Sequence, residues 1–589
     1  MKSFSEKYWI FNEVDQEKLS ILMRGLQIGE ISSRILINRG IEDLEDAKIF
    51  MNTRLRDVMP DPLFFLDMGN AIERVSNSIL KNERIFVYGD YDVDGVSSTF
   101  LLLNYFKLIG FSNFEYHLPN RFVDGYGLSL KSIDRALENK SDLMIVVDSG
   151  ITSVREIDYA NEKNLDIIIF DHHMPHGSDI PRAFAVVNPN RIDQENFENS
   201  FIKNLCAAGI VFIFLVGLQR ELKNKGFFEN SNKNIPDLTN FLDIVSLGTL
   251  CDVMDIVGIN RAYINFFMKK QTYSIGIRAL MIILGMERIN NAEDLSFYIG
   301  PIINASGRIH DPKIALNLFL SENLEDALPI AEKLVHTNLK RRDMEKNLLD
   351  DVIKMIEEKK LYEKPYIFAY GEDWHEGIIG IIAGRIKDKY NKPSFIASFD
   401  ENNKKGKGSA RSIPEIPLNI LFNEVREKKI LQKCGGHALA GGFSLDFEDI
   451  EKFDNFLSNY IQNKEYIHNI NIDYILPTNV DLEYVCREIS VIEPYGKKVE
   501  RPFFCFEKVR IISMKKTNDL KHMMISIHGS ISGIVRLIIF NIHSKNDLIH
   551  NIEKYKDCIL DIIVSITYNE KYGVSVVLED ARLHEDDVL

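Results

Sequence analysis

The stretch Val87–Phe100, VYGDYDVDGVSSTF, sets Asp90, Asp92 and Asp94 at alternate positions, directly after an apolar segment and just before a helix-like run. Carboxylates this close repel one another and hold on to protons unless something positive lies between them. The preceding RIFVYG (Arg84–Gly89) has the character of a short buried strand. The following VSSTFLLLNYFKLIG (Val96–Gly110) spaces its apolar residues as a helix does and ends on glycine. The aspartates therefore fall on the turn at the carboxyl end of a strand, where open α/β sheets build their sites. A helix-capping role accounts for one of them. A divalent cation accounts for all three.

Outward from this turn the pattern repeats. LMIVVD (Leu143–Asp148), LDIIIFD (Leu165–Asp171) and AFAVVNP (Ala183–Pro189) are short, β-branched and apolar, and each runs into a polar, Gly or Pro turn. Continuous apolar strands separated by helices predict a parallel sheet covered on both faces. A helical stretch from Leu205 to Ile256 follows, interrupted by a polar insert (Lys223–Asp237) expected to be a loop. Residues Ala292–Glu363 are mostly helical in pattern, with Leu334–Lys360 long and charged enough to connect two domains. PYIFAYG (Pro365–Gly371), EGIIGIIAGRIKDKY (Glu376–Tyr390) and PSFIASF (Pro393–Phe399) open a second α/β unit. From about Asp473 onward, short alternating strands suggest a small β-barrel. The expected fold class is α/β. Its parts are an N-terminal helical segment (1–70), a parallel-sheet domain (71–290), a helical linker (291–360), a second α/β domain (361–466) and a C-terminal β-barrel (467–589).

No apolar run is long enough to span a bilayer, and the N-terminal twenty residues mix charges into their apolar positions unlike a signal peptide. Six scattered cysteines form no CxxC pair, which argues against a zinc finger or disulfide framework and for a reducing cytoplasm. The net charge of −15 taken alone counts against a nucleic-acid partner. Clusters matter more than the sum, and Lys404–Ser412, Leu339–Arg342 and Tyr495–Pro502 are local basic runs.

The strand ends carry more than the first three aspartates. Asp148 ends the next strand, Asp171, His172 and His173 follow the one after it, and Asp252 lies on or beside a later helix in LGTLCDVMDI. Parallel strands converge at their carboxyl ends, so these residues can meet despite their distance in sequence. Singly, Asp148 is explained as a helix cap, the His pair as surface and Asp252 as a helix-terminal charge. Together they suit Mn²⁺ or Mg²⁺ better than a structural zinc, since no thiolate joins them. Six or seven such ligands are more than one catalytic ion needs. Two ions roughly 3.5–4 Å apart would use them and would favour in-line phosphoryl displacement.

GDYDVDG (Gly89–Gly95), VVDSG, DHH and GTLCDV together resemble the DHH phosphoesterase superfamily. The aspartate-rich first motif resembles its RecJ branch. The pyrophosphatase and small-phosphodiester branches carry a histidine six positions before the third aspartate, where this chain has Tyr88. GPIINASGRIHDP (Gly300–Pro312), DWHEGIIGIIAGRI (Asp373–Ile386), GKGSARSI (Gly406–Ile413) and CGGHALAGGFSL (Cys434–Leu445) resemble the RecJ linker and the DHH-associated domain, and the terminal β region resembles the RecJ oligonucleotide-binding fold.

The resemblance implies stepwise 5′ to 3′ hydrolysis of single-stranded DNA to 5′-mononucleotides, in recombination and mismatch repair. It implies two Mn²⁺ or Mg²⁺ ions held by Asp90, Asp92, Asp94, Asp148, His172 and Asp252, with Asp148 as the bridging carboxylate and Asp90 in the role of the replaced histidine. His173 is implied as a phosphate contact or proton donor, Asp94 and Asp171 as further members of the catalytic set, Asp171 by orienting an imidazole. Arg121, Asn304, Arg308, His375, Ser409, Arg411 and His437 are implied as contacts to the 5′ phosphate and the DNA. Single-stranded DNA, a single-strand-binding protein and a helicase are the implied partners of a monomer that touches no membrane. Two alternatives stand beside this reading: a nano-RNA or cyclic-dinucleotide phosphodiesterase, and a catalytically inactive DNA-binding scaffold.

Overall fold

The computed structural model describes residues 2–125, 127–175, 179–194, 202–231, 233–400, 404–431, 433–462, 464, 468–528, 534–542, 545–569 and 573–585. His176 and Gly177 of the DHHMPHG stretch and the expected 466/467 boundary lie outside the described residues. The chain forms two compact units: residues 60–254 with 266–465, and residues 1–59 with 255–265 and 466–589.

The first unit is built on a five-stranded parallel sheet. Its strands β1 (Ile85–Tyr88), β2 (Phe114–His117), β3 (Leu143–Val147), β4 (Asp166–Phe170) and β5 (Ala185–Val187) lie in the order β2-β1-β3-β4-β5. Every residue of β1 and β3 is buried, which is why both are unbroken apolar runs in sequence. The chain leaves β1 for β2 on one side, then crosses back to β3 on the other. The order therefore reverses between the carboxyl ends of β1 and β3. Asp90 lies two residues past β1, Asp148 one past β3 and Asp171 one past β4.

Helix α1 (Val93–Leu108) starts inside the aspartate-rich turn, and α2 (Ala207–Asn224) and α3 (Leu242–Cys251) both pack against it. All three are apolar nearly all round, the signature of helices enclosed by other elements. The polar insert expected to be a loop carries a short helix at Phe227–Ser231, anchored by buried Phe228. A helix that short has too little intrinsic stability to mark itself in sequence. Helix α4 (Gly300–Ile309) and the 35-residue α5 (Leu324–Glu358) follow. The mixed sheet after them comprises β6 (Ile367–Glu372), β7 (Ser394–Phe399), β8 (Lys405–Arg411), β9 (Lys433–Gly436) and β10 (Ala440–Asp446), in the order β9-β10-β8-β7-β6. Helix α6 (Glu376–Tyr390) links β6 to β7 and packs on β7 and β8.

In the second unit, β11 (Phe503–Lys516), β12 (Met523–His528), β13 (Ile534–Ile539), β14 (Leu560–Asn569) and β15 (Gly573–Leu583) pair as β11-β12-β13-β15-β14, and β14 pairs again with β11, so the hydrogen-bonded circuit closes. Tyr495 and Phe504 belong to its core, 4% and 0% exposed. The N-terminal segment, helical in its sequence pattern, also holds a strand, Tyr8–Phe11, paired in parallel with Asn469–Ile472. Arg261 ties residues 255–265 into the same unit by donating to the carbonyls of Phe50, Ile492, Glu493 and Pro494.

Helix α4 reaches the aspartate-rich turn only because residue 307 is glycine. A Cβ there would lie 2.4 Å from the Tyr91 carbonyl oxygen, a backbone atom that cannot swing away. Gly307→Ala is expected to cost about 1–3 kcal/mol through overpacking, measured as a lower denaturation midpoint of the purified protein; an unchanged midpoint would contradict this packing.

Candidate metal centre

Each acidic side chain of the first unit is positioned by a local device. Asp92 caps α1, accepting from the amides of Asp94 and Gly95 at 3.0 and 3.1 Å. Asp94 sits in the first turn of α1 and meets the start of α2, where it accepts from Ala207 N at 2.7 Å and Ala208 N at 2.9 Å, a favourable place for a negative charge. Asp90 accepts from Tyr91 N at 2.8 Å and is buried. Asp148 takes a left-handed backbone, φ 61°, and donates its amide to the Phe170 carbonyl at 2.9 Å. That conformation is strained for a residue other than glycine and is typical of functional sites. Asp252 ends α3.

These devices bring the side chains together. His172 Nε2 lies 3.3 Å from Asp148 Oδ1, 3.4 Å from Asp252 Oδ2 and 3.8 Å from Asp94 Oδ2. Three sets have potential ligand atoms all within 4.8 Å of one another: Asp90, Asp92 and Asp148; Asp148, His172 and His173; Asp94, His172 and Asp252. Asp148 and His172 each belong to two sets. Their facing atoms, Asp148 Oδ1 and His172 Nε2, are buried and make no hydrogen bond. Buried polar atoms are rarely left so. The oxygen-rich, thiolate-free donor set fits hard divalent cations such as Mn²⁺ or Mg²⁺.

The electrostatics agree. Burial, and then the Asp92 charge, push Asp90 up to about 8 and Asp94 up to about 6. Burial together with Asp94, Asp92, Asp90 and Asp252 raises Asp148 well above the ordinary carboxylate range. The two histidines part company. Burial, then neighbouring His173, lowers His172 to about 3, leaving a neutral imidazole able to ligate. Burial also opposes charge on His173, but the Asp171 carboxylate, 2.7 Å from its Nδ1, raises it to about 9. Asp171 is depressed in turn: burial would raise it, but the His173 charge and hydrogen bond outweigh that. It is fully buried and also accepts from the amides of Ile151, His172 and His173. The Asp171 carboxylate is thus engaged by His173 and by these main-chain amides.

A second group is basic. Arg121 stacks over the Tyr91 ring at 4.4 Å, and Arg411 donates to Ser409 Oγ at 3.2 Å and to the Ala410 carbonyl at 2.9 Å. Burial lowers Arg308 to about 10, and the charges of Arg121, Arg341 and Arg411 push the same way. Guanidiniums whose charges disfavour one another create a local field that favours an anion. Gly380 on α6 makes room for this cluster: a Cβ there would lie 3.0 Å from Ser409 Oγ and 3.5 Å from an Arg411 terminal nitrogen. Asn304 Oδ1 accepts from Val93 N at 3.3 Å, at the start of α1. His437 stacks on His173 with ring centroids 5.8 Å apart. His375 caps α6 through Nδ1 and lies edge-on to Phe122 at 5.2 Å. Sequence reasoning placed Arg341 only within a basic run and missed the Ala207 and Ala208 amides, which, being main chain, leave no signal in residue type.

Residues 84–249 match the DHH family N-terminal domain, 363–463 the DHHA1 domain and 472–578 the RecJ OB domain. Fold and site thus define a DHH-family protein. The single-stranded-DNA-specific exonuclease RecJ of Haemophilus influenzae is 30% identical over 553 residues, covering 90% of this chain and 93% of that protein. That of Bacillus subtilis is 29% identical over 537 residues; the alignment covers 90% of this chain and 65% of that longer protein. The crystal structure of Thermus thermophilus RecJ in complex with Mn²⁺ superposes with a TM-score of 0.78 at 22% identity, over 99% of this chain and 80% of that one. The chain belongs to the RecJ family.

A metal-free centre should be sensitive to pH. Unfolded aspartates titrate near 3.9, so with folded values of about 8 for Asp90 and about 6 for Asp94 the folded state holds extra protons between about pH 4 and 8. Its stability is then highest below pH 4 from these groups and falls as pH rises through that window. Cations replace those protons. Saturating Mg²⁺ is expected to raise the melting temperature more at pH 8 than at pH 6, as measured by scanning fluorimetry against a chelator control; an equal or smaller rise at pH 8 would contradict it.

Proposed function

We propose that the protein is a single-stranded-DNA-specific exonuclease that works from the 5′ end and releases 5′-mononucleotides. The observation that carries this reading is the overlap of three ligand sets through Asp148 and His172 at the sheet's switch point. The set Asp90, Asp92 and Asp148 and the set Asp94, His172 and Asp252 would each hold a divalent cation. Bound there, a pair of Mn²⁺ or Mg²⁺ ions supplies an acidified water and neutralises charge on the phosphoryl oxygens.

The chain's own residues do the rest. His173, kept cationic by Asp171, donates its Nε2 proton to a phosphoryl oxygen or to the leaving 3′ oxygen. Arg121, Arg308 and Arg411, with Ser409, receive the 5′-terminal phosphate through charge-assisted hydrogen bonds. His437 supports the His173 ring, while Asn304 and His375 fix the helix starts that border the strand's path. The oligonucleotide-binding-like unit adds single-strand affinity. Family likeness supports work in recombination and mismatch repair, as a cytoplasmic monomer, beside a single-strand-binding protein and a helicase. Among the described residues no helix is long and apolar enough to cross a membrane.

With 5′-end-labelled single-stranded DNA and Mn²⁺, label should leave first, as mononucleotide, and blunt duplex should resist. Label retained on long products would reverse the polarity, and cleavage confined to dinucleotides would favour the small-phosphodiester alternative. His172→Ala should reduce turnover to background. Arg411→Ala should abolish the preference for 5′-phosphorylated over 5′-hydroxyl oligonucleotides in competition assays; a preserved preference would remove Arg411 from the phosphate site.

A further inference from the structure

The segment VVNPN (Val186–Asn190) leaves β5 beside the DHH turn. The Asp171 amide donates to the Val187 carbonyl at 3.1 Å, which brings the two turns into register. Asn188, 1% exposed, donates from Nδ2 to the His173 carbonyl at 2.9 Å. Asn190 donates from Nδ2 to the His172 carbonyl at 2.5 Å. The Asn190 amide in turn donates to Asn188 Oδ1 at 2.7 Å, which fixes which end of the Asn188 side chain is oxygen and which is the donor. Pro189 between them locks its own φ and holds Asn188 extended, so the two side-chain donors are preset before they meet the histidines.

From the other side, Asp171 accepts from the His172 and His173 amides at 2.7 and 3.1 Å. Both N–H groups and both carbonyls of the histidine pair thus have fixed partners. This matters because adjacent side chains must do opposite things. His172 must aim Nε2, an atom with no hydrogen bond of its own, at Asp148 and Asp252, while His173 turns Nδ1 to Asp171. A small rotation of the shared peptide would swing both rings away from these partners.

We infer that Asn188 and Asn190 are positioning residues that set the metal affinity of the centre by clamping the His172–His173 backbone. The inference rests on the two-cation reading above. The test is calorimetric titration of Mn²⁺ into the full-length chain, compared with Asn190→Ala and Asn190→Leu. Leucine keeps the branched side-chain shape and removes its polar atoms, the Nδ2 donor among them. Both variants are expected to bind Mn²⁺ more weakly by on the order of 10–100-fold, the usual effect of losing a partner behind a metal ligand. In chelator they should melt at the wild-type temperature. In nuclease assays kcat should fall at fixed Mn²⁺ and recover as Mn²⁺ is raised, with KM for the strand unchanged. Asn188→Ala, at the more buried position, is expected to do the same. Should it fail to fold, the half-buried Asn190 pair decides. Wild-type Mn²⁺ isotherms in both Asn190 variants would overturn the inference while leaving the metal centre intact. A wild-type chain that binds no Mn²⁺ would overturn the two-cation reading and this one with it.

Discussion

Mutual repulsion among buried carboxylates is the constraint around which the first unit is organised. Asp90, Asp94 and Asp148 are each almost fully enclosed, and the charges of Asp90 and Asp94 raise the protonation of Asp148. Water cannot screen them and, among the described residues, no lysine or arginine is paired with them. Such an assembly is unfavourable for a fold unless cations complete it. The cost is tolerated at one place, the reversal of strand order between β1 and β3, where carboxyl ends of parallel strands meet in a crevice.

The surrounding elements offset that cost with dipoles rather than with full charges. The start of α1 takes Asp92, and the start of α2 takes Asp94 through two main-chain amides. Helix amides are fixed donors that do not neutralise a carboxylate, so the oxygens stay available as anionic ligands. Asp171 follows another logic. Its charge is engaged by His173, which leaves one histidine of the pair neutral and its neighbour cationic. In the proposed mechanism, divergent protonation of adjacent groups lets one turn supply both a ligand and a proton source.

The arginine cluster is the electrostatic complement. Arg121, Arg308 and Arg411 come from a loop, a helix and a strand that the chain contributes far apart, yet Arg121 and Arg411 both lower the tendency of Arg308 to stay charged. An acidic centre and a basic cluster within one compact unit suit a substrate that presents a phosphodiester to the first and a terminal phosphate to the second. The overall negative charge of the chain says little about such a partner, because the two clusters act locally.

Much of this was legible in sequence. Strand β1, the aspartate turn, the other strand-end carboxylates and histidines and helix α6, whose bounds coincide with the expected Glu376–Tyr390, follow from apolar period and turn residues. These are local properties, and residue type encodes them directly. Four things needed the tertiary structure. The amides of Ala207 and Ala208 are main-chain groups that any residue could supply. The strand Tyr8–Phe11 is defined by a partner more than 450 residues away, and residues 255–265 join the unit formed by the chain ends only through contacts such as those of Arg261. The opposite protonation of His172 and His173 depends on burial, on their mutual repulsion and on the Asp171 carboxylate meeting the His173 ring, and two identical neighbouring letters cannot record that.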